Sequence, residues 1–216
     1  MAATLHKRLP LALSVLGLVL FASGAVIQLP RLQGQARLLA GFFIGLYVLW
    51  LAVEARIAAG EGKREETADD RGTLELYALA RVLTGASALF LSAPSLPSLA
   101  YGLACTALFV GGIAFRLHAI RALGKFYSHR VRKTEGHRII DTGPYRFLRH
   151  PAYTGMLIAH LGFVLFFFHW ASMLLLLGLF LPAVLLRIRV EERMLFLIDG
   201  YAEYSYGRKR LIPGIW

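Results

Sequence analysis

Two short stretches hold most of the side chains able to bind or transform a ligand. The first, residues 136–155, carries His137, Arg138, Asp141, Tyr145, Arg146, Arg149, His150 and Tyr153. It is too polar to cross a bilayer and too rich in glycine and proline for one helix, and Gly143-Pro144 marks a turn. Pro151 directly after His150 suits the first turn of a helix. His150 is therefore expected at a helix N-terminus, where free N–H groups and the positive dipole end favour an anion such as a carboxylate. The second stretch, residues 187–195, is followed by Tyr201, Tyr204, Arg208 and Pro213. Arg187 and Glu191 stand four apart, Arg189 and Glu192 three apart, so each pair shares a helix face. An arginine there could hold a carboxylate with both prongs of its guanidinium. Singly, these residues have plainer readings as lipid-headgroup anchors, interfacial tyrosines and low-energy surface salt bridges. Their concentration in two blocks argues for a site.

Other chemistries find little support. The histidines lack His-Glu-x-x-His or Cys/His spacing, so no metal site is expected. No Walker A loop or dinucleotide-binding glycine pattern is present. Gly111-Gly112 lies in an apolar run and reads as a packing notch. Cys105, the one cysteine, also sits among apolar residues, where burial makes a thiol inert.

The elements that position these blocks are apolar. Of the 216 residues 57% are hydrophobic, in long runs separated by charged stretches, which is a membrane pattern. Six spans of about 20 residues are expected, near 10–29, 37–58, 74–93, 97–115, 152–169 and 172–190. The first reads as a retained helix rather than a cleaved leader. The last two form a tight hairpin about residues 169–171. The segment 56–73 reads as a solvated linker and 93–97 as a tight turn. Glu75 and Arg81 are expected as interfacial anchors, with Arg81 snorkelling.

Charge gives the orientation. The net charge is +11, yet no nucleic-acid motif accompanies it, so partners are expected to be membrane lipids rather than nucleic acid. With a cytoplasmic N-terminus, 21 of the 24 Lys and Arg residues fall on the cytoplasmic side, as the positive-inside rule requires. Both termini are then cytoplasmic. A leg of 18 residues spans about 27 Å. The hairpin therefore returns Arg187 and Glu191 to the level of Arg149 and His150, at the cytoplasmic face.

The blocks resemble the isoprenylcysteine carboxyl methyltransferases and their bacterial relatives, over about residues 110–216. One motif is met at Gly136, Arg138, Gly143, Pro144, Tyr145, Arg149, His150, Pro151, Tyr153 and Gly155, the other at Arg187, Glu191, Glu192 and Leu195. The resemblance implies an all-α polytopic membrane bundle, with residues 96–216 as the methyltransferase core. Residues 1–95 carry N-terminal helices without a readable family signal. It implies S-adenosyl-L-methionine as cofactor. Matching positions for its contacts are His137, Arg138, Ile139, Ile140, Tyr145, His150, Pro151, Ala152, Tyr153 and Glu191. Arg187 matches the position that holds the acceptor carboxylate, so Arg187 and Glu191 are the expected catalytic pair. The implied partner is a lipidic or prenylated acceptor of the isoprenylcysteine kind.

That chemistry suits the inventory. A carboxylate is ionised at neutral pH and needs no general base, so alignment of the reactants carries most of the rate. A phospholipid amine, a phenolic lipid or a thiol are alternative acceptors; an amine would need a base such as Glu191 or Glu192. Two other classes compete: an NAD(P)H-dependent reductase of sterol or enone lipids, and a non-enzymatic membrane protein retaining the fold. Met156 after Gly155, where such reductases carry an acidic residue, argues against the former.

Overall fold

The computed structural model describes residues 2–61, 72–92, 98–127 and 139–216. They form α1 (Ala2–Gln28), α2 (Gly34–Glu61), α3 (Thr73–Leu91), α4 (Leu99–Leu123) and α5 (Pro151–Phe166). A continuous rod follows: α6 (Trp170–Leu175), a π turn (Leu176–Phe180) and α7 (Leu181–Leu195). A short α8 (Tyr201–Ser205) precedes the tail. Five stretches, Ala12–Arg31, Gly34–Arg56, Thr73–Leu91, Leu99–Leu123 and Trp170–Leu195, are long and apolar enough to cross a membrane. Helix α5 is apolar but shorter, at 16 residues, or about 24 Å. Among the described residues, the expected all-helical bundle of about six apolar helices is therefore what forms.

Local chemistry sets the ends. Ser98 caps α4 by accepting from the Tyr101 N–H at 3.1 Å, a bond that satisfies one of the first-turn donors. His169 caps α6 by accepting from the Ala171 N–H at 3.2 Å, which closes the expected hairpin. Pro182 lies inside the last rod, where it has no N–H to give and its ring crowds the carbonyl four residues back. The rod absorbs this in the π turn just before it rather than breaking.

Exposed and buried apolar residues separate around α1–α4 and the last rod. Val15, Val19, Val26, Leu38, Leu49, Leu103 and Leu174 are exposed, which suits lipid contact and would be unfavourable in water. The core is aromatic. Phe21 stacks on Tyr47 at 4.1 Å and Phe43 on Phe166 at 4.2 Å between ring centroids, with Phe109 and Phe163 beside them. It joins α1–α3 to α4–α7 in one cluster.

The closest helix pair is α4–α5, and glycine makes it so. A Cβ on Gly155 would sit 2.6 Å from the Arg116 N and the Gly112 O. One on Gly162 would sit 2.6 Å from the Phe109 N. Apolar helices gain little from burial against each other in lipid, so small residues that let backbones touch provide the packing. Gly112 serves as the expected notch; Gly111, one residue away, faces open space.

The structure corrects several expectations. Helix α4 continues two turns past residue 115 and carries Arg116 as a buried group, not a loop charge. The reason is Glu54 on α2, which neutralises it. Glu75 and Arg81 are buried, not interfacial anchors; α3 turns its polar face inward against its neighbours. Helix α2 extends to Glu61, so the expected linker at 56–73 is shorter. Residues 62–71 of that linker and the expected turn at 93–97 lie outside the described residues.

Candidate functional site

The loop before α5 is built on a glycine. Gly143 has φ +58°, a conformation costly for other residues, and the turn beyond it places Tyr145 inside. The Tyr145 N–H donates to Thr142 O at 3.2 Å, and the Phe147 and Leu148 N–H groups donate to Pro144 O at 3.2 Å.

The C-terminal tail then straps this loop down. The Arg149 N–H donates to Lys209 O at 2.8 Å, and the His150 N–H to Arg210 O at 3.0 Å. The Arg149 guanidinium donates to Arg208 O and Ser205 O, each at 2.8 Å. The Tyr204 hydroxyl donates to Tyr145 O at 3.0 Å and Leu148 O at 3.3 Å. Burial pushes that hydroxyl up to about 12, so it remains a donor at neutral pH. Thr154 closes the strap with a bond to Leu211 O at 2.8 Å.

Glu192 is the electrostatic hub. Its buried carboxylate meets Arg149 Nη1 and His150 Nε2, each at 3.3 Å, and Arg210 Nε at 2.8 Å. Three cationic or ionisable groups from loop, helix start and tail thus converge on one residue of α7. Such a carboxylate is well compensated, and losing it would leave buried positive charge behind.

Glu191, the next residue, points elsewhere. Its Oε2 accepts from the Tyr153 hydroxyl at 2.9 Å. Tyr145 is close enough for Glu191 to act on it: burial first, then the Glu191 carboxylate, hold the Tyr145 hydroxyl well above its ordinary range. One turn back along α7, Arg187 is buried and its Nη1 donates to Thr73 Oγ1 of α3 at 3.2 Å. A carboxylate beside two neutral phenols and a buried guanidinium one turn away can hold a cation and an anion next to each other.

The expected site residues therefore fall as follows. Tyr145, His150, Tyr153, Arg187 and Glu191 come together from the loop, α5 and α7. Pro151 is the first helical residue of α5 and buried. Ala152 is buried, and its carbonyl accepts from Arg116 Nη1 at 3.2 Å. Ile139 and Ile140 pack beside a small apolar cluster that includes Ala119, Tyr145, Ala152 and Tyr201. His137 and Arg138 lie outside the described residues.

One feature was missed from sequence. Arg116 is held by both oxygens of Glu54, Nε to Oε1 at 2.7 Å and Nη2 to Oε2 at 2.8 Å. It also donates to the Tyr127 hydroxyl at 3.1 Å. Trp50 Nε1 donates to the same Glu54 at 3.0 Å. This pair ties α2 to α4 and to the first turn of α5. The signal was available: an acid inside an apolar span is costly unless paired.

Fold and site together define a polytopic helical membrane protein with a polar site where a loop, the start of α5 and the end of α7 meet. Residues 104–197 match the model of the isoprenylcysteine carboxyl methyltransferase (ICMT) family. The matched stretch holds Tyr145, His150, Tyr153, Arg187 and Glu191, so the resemblance read from the two motifs stands over this stretch. No curated protein matches the chain. The strap from α8 onward, Thr73 of α3 and Glu54 of α2 lie outside the matched stretch.

Proposed function

We propose that this protein is an S-adenosyl-L-methionine-dependent methyltransferase that esterifies the carboxylate of a lipidic acceptor of the isoprenylcysteine kind. The observation that carries the reading is the placement of Arg187 and Glu191 on one face of α7, level with Tyr153 and His150, inside the stretch that matches the family. The residues fit the cofactor. Glu191 with Tyr145 and Tyr153 offers a carboxylate and aromatic walls to a sulfonium or ammonium. Ile139 and Ile140, beside Tyr145 and Ala152, offer an apolar surface suited to a purine. When bound, S-adenosylmethionine supplies an electrophilic methyl group on sulfur. The chain's own residues do the rest. Arg187 grips the acceptor carboxylate and aims one oxygen. Glu191 and Tyr153 fix the donor's cationic side, and α5 with the strapped loop keeps water out. No residue is asked to move a proton, since the nucleophile is already ionised.

The basic-residue asymmetry supports placing this site and both termini on the cytoplasmic side. Calorimetry on the purified full chain tests the reading. S-adenosylmethionine and its demethylated product bind in the micromolar range, about 8 kcal/mol, and NADPH does not bind. Binding of NADPH with neither nucleoside bound would replace the reading with a reductase.

A further inference from the structure

Helix α3 carries a buried polar stripe that begins beside the methyl-transfer site, where the Tyr77 ring packs edge-on against Tyr153 at 6.0 Å. Tyr77, Arg81 and Thr84 stand at i, i+4 and i+7, on one face, with exposures of 5%, 9% and 0%. Among the described residues, the hydroxyls of Tyr77 and Thr84 have no hydrogen-bond partner. The Arg81 guanidinium lies 5.8 Å from the centre of the Trp50 ring. Glu54, the acid whose field reaches Arg81, already gives both oxygens to Arg116. His160 adds no charge of either sign in the arrangement its bonds describe. Its Nδ1 faces Met156 O at 2.8 Å and its Nε2 faces the Tyr47 hydroxyl at 2.7 Å, which a neutral ring satisfies at both ends. Glu54 is paired with Arg116, Glu75 is buried two residues before Tyr77, and among the described residues no carboxylate forms an ion pair with Arg81.

A buried guanidinium without an anion is costly, and inside a membrane helix it marks a ligand or ion path. A buried hydroxyl without a partner is costly in the same way. We propose that Tyr77 and Arg81 form a binding site for the carboxylate head of a membrane-dissolved amphiphile with a long apolar tail. The planar guanidinium supplies two parallel donors and the Tyr77 hydroxyl a third, which matches the lone pairs of a carboxylate. Arg81 lies eight residues along α3 from Thr73, about 12 Å deeper, and Leu76, Leu79 and Leu83 on the opposite side of α3 are exposed. That depth selects a ligand dissolved in lipid over a water-borne anion. The site also has a place in turnover: an acidic acceptor would be held at Arg81 before it reaches Arg187. That last role rests on the proposed function; the binding itself does not.

The test is binding of radiolabelled oleate and oleyl alcohol to the full chain in phosphatidylcholine nanodiscs at pH 8, without nucleoside. Oleate binds about tenfold or more tighter than the alcohol. Arg81→Gln removes that preference, Tyr77→Phe reduces it severalfold, and neither changes alcohol binding. Thermal unfolding checks that each variant folds; if Arg81→Gln does not, Tyr77→Phe decides. Equal binding of oleate and alcohol by the wild type overturns the proposal, as does an unchanged preference in the folded variants. A preference lost in Arg187→Ala but kept in Arg81→Gln also overturns it, and places the anion on α7, leaving the methyltransferase reading intact.

Discussion

The Tyr153 hydroxyl donates to Glu191 Oε2 at 2.9 Å, which locks the first turn of α5 to the last turns of α7. Glu192, one residue further, is turned to the opposite task of holding Arg149, His150 and Arg210. Adjacent acids on one helix thus divide into one that meets Tyr153 and one that holds the loop and tail.

Glu191 and Tyr153 should differ in what they cost. Glu191→Gln removes a charged partner and weakens binding of the demethylated nucleoside about tenfold or more, while Tyr153→Phe weakens it by a few fold. Equilibrium dialysis at neutral pH measures both. Wild-type affinity in Glu191→Gln would remove Glu191 from the cofactor side.

Arg187 should act on the acceptor. Arg187→Ala stops turnover and leaves nucleoside affinity within a few fold of wild type. Arg187→Lys keeps the charge without the planar fork and restores only part of the rate. Steady-state kinetics with the acceptor varied, paired with nucleoside binding, separates the two effects. Full turnover by Arg187→Ala would point to an amine, phenol or thiol acceptor.

Glu192 should matter chiefly for stability. Glu192→Ala leaves the Arg149 guanidinium without its carboxylate and His150 Nε2 without its partner in a largely buried frame, which costs about 3 kcal/mol and lowers the unfolding temperature by several degrees. Arg210 is a third exposed and contributes less to that loss. Unfolding by differential scanning fluorimetry reads the change, and a shift under one degree would contradict the hub.

The α4–α5 contact predicts a contrast between neighbouring glycines. Gly155→Ala forces a methyl group against the backbone of Arg116 and Gly112 and destabilises by about 1–3 kcal/mol. Gly111→Ala meets open space and is neutral. Side-by-side thermal unfolding of the two variants checks this.

Much of this was legible because membrane helices are read by length. Apolar runs gave the helix number, and the i, i+4 spacing of Arg187 and Glu191 gave a shared face that the structure keeps. Periodicity, however, tells which residues share a face and not which way it points, so Glu75 and Arg81 were read as anchors when α3 buries them. The span expected near 97–115 stops short of Arg116 because the residue that neutralises it, Glu54, is on a different helix 62 residues away. The strap from Tyr204 to Leu211 depends on backbone carbonyls, and no side-chain pattern encodes where a carbonyl will lie. His150 stands just before the first turn of α5, as its following proline indicates, but its contact with Glu192 is made by the side-chain Nε2 and not by the free N–H groups of the helix start.

The most direct measurement of the central claim follows a labelled methyl group. The full chain in nanodiscs is incubated with methyl-labelled S-adenosylmethionine and a prenylated cysteine carrying a free carboxylate, and the lipid product is treated with mild base. The account predicts label in the lipid that base releases as methanol, absent with Arg187→Ala and absent when the carboxylate is amidated. Label that resists base, or no transfer by a folded protein that binds the nucleoside, would contradict carboxyl methylation.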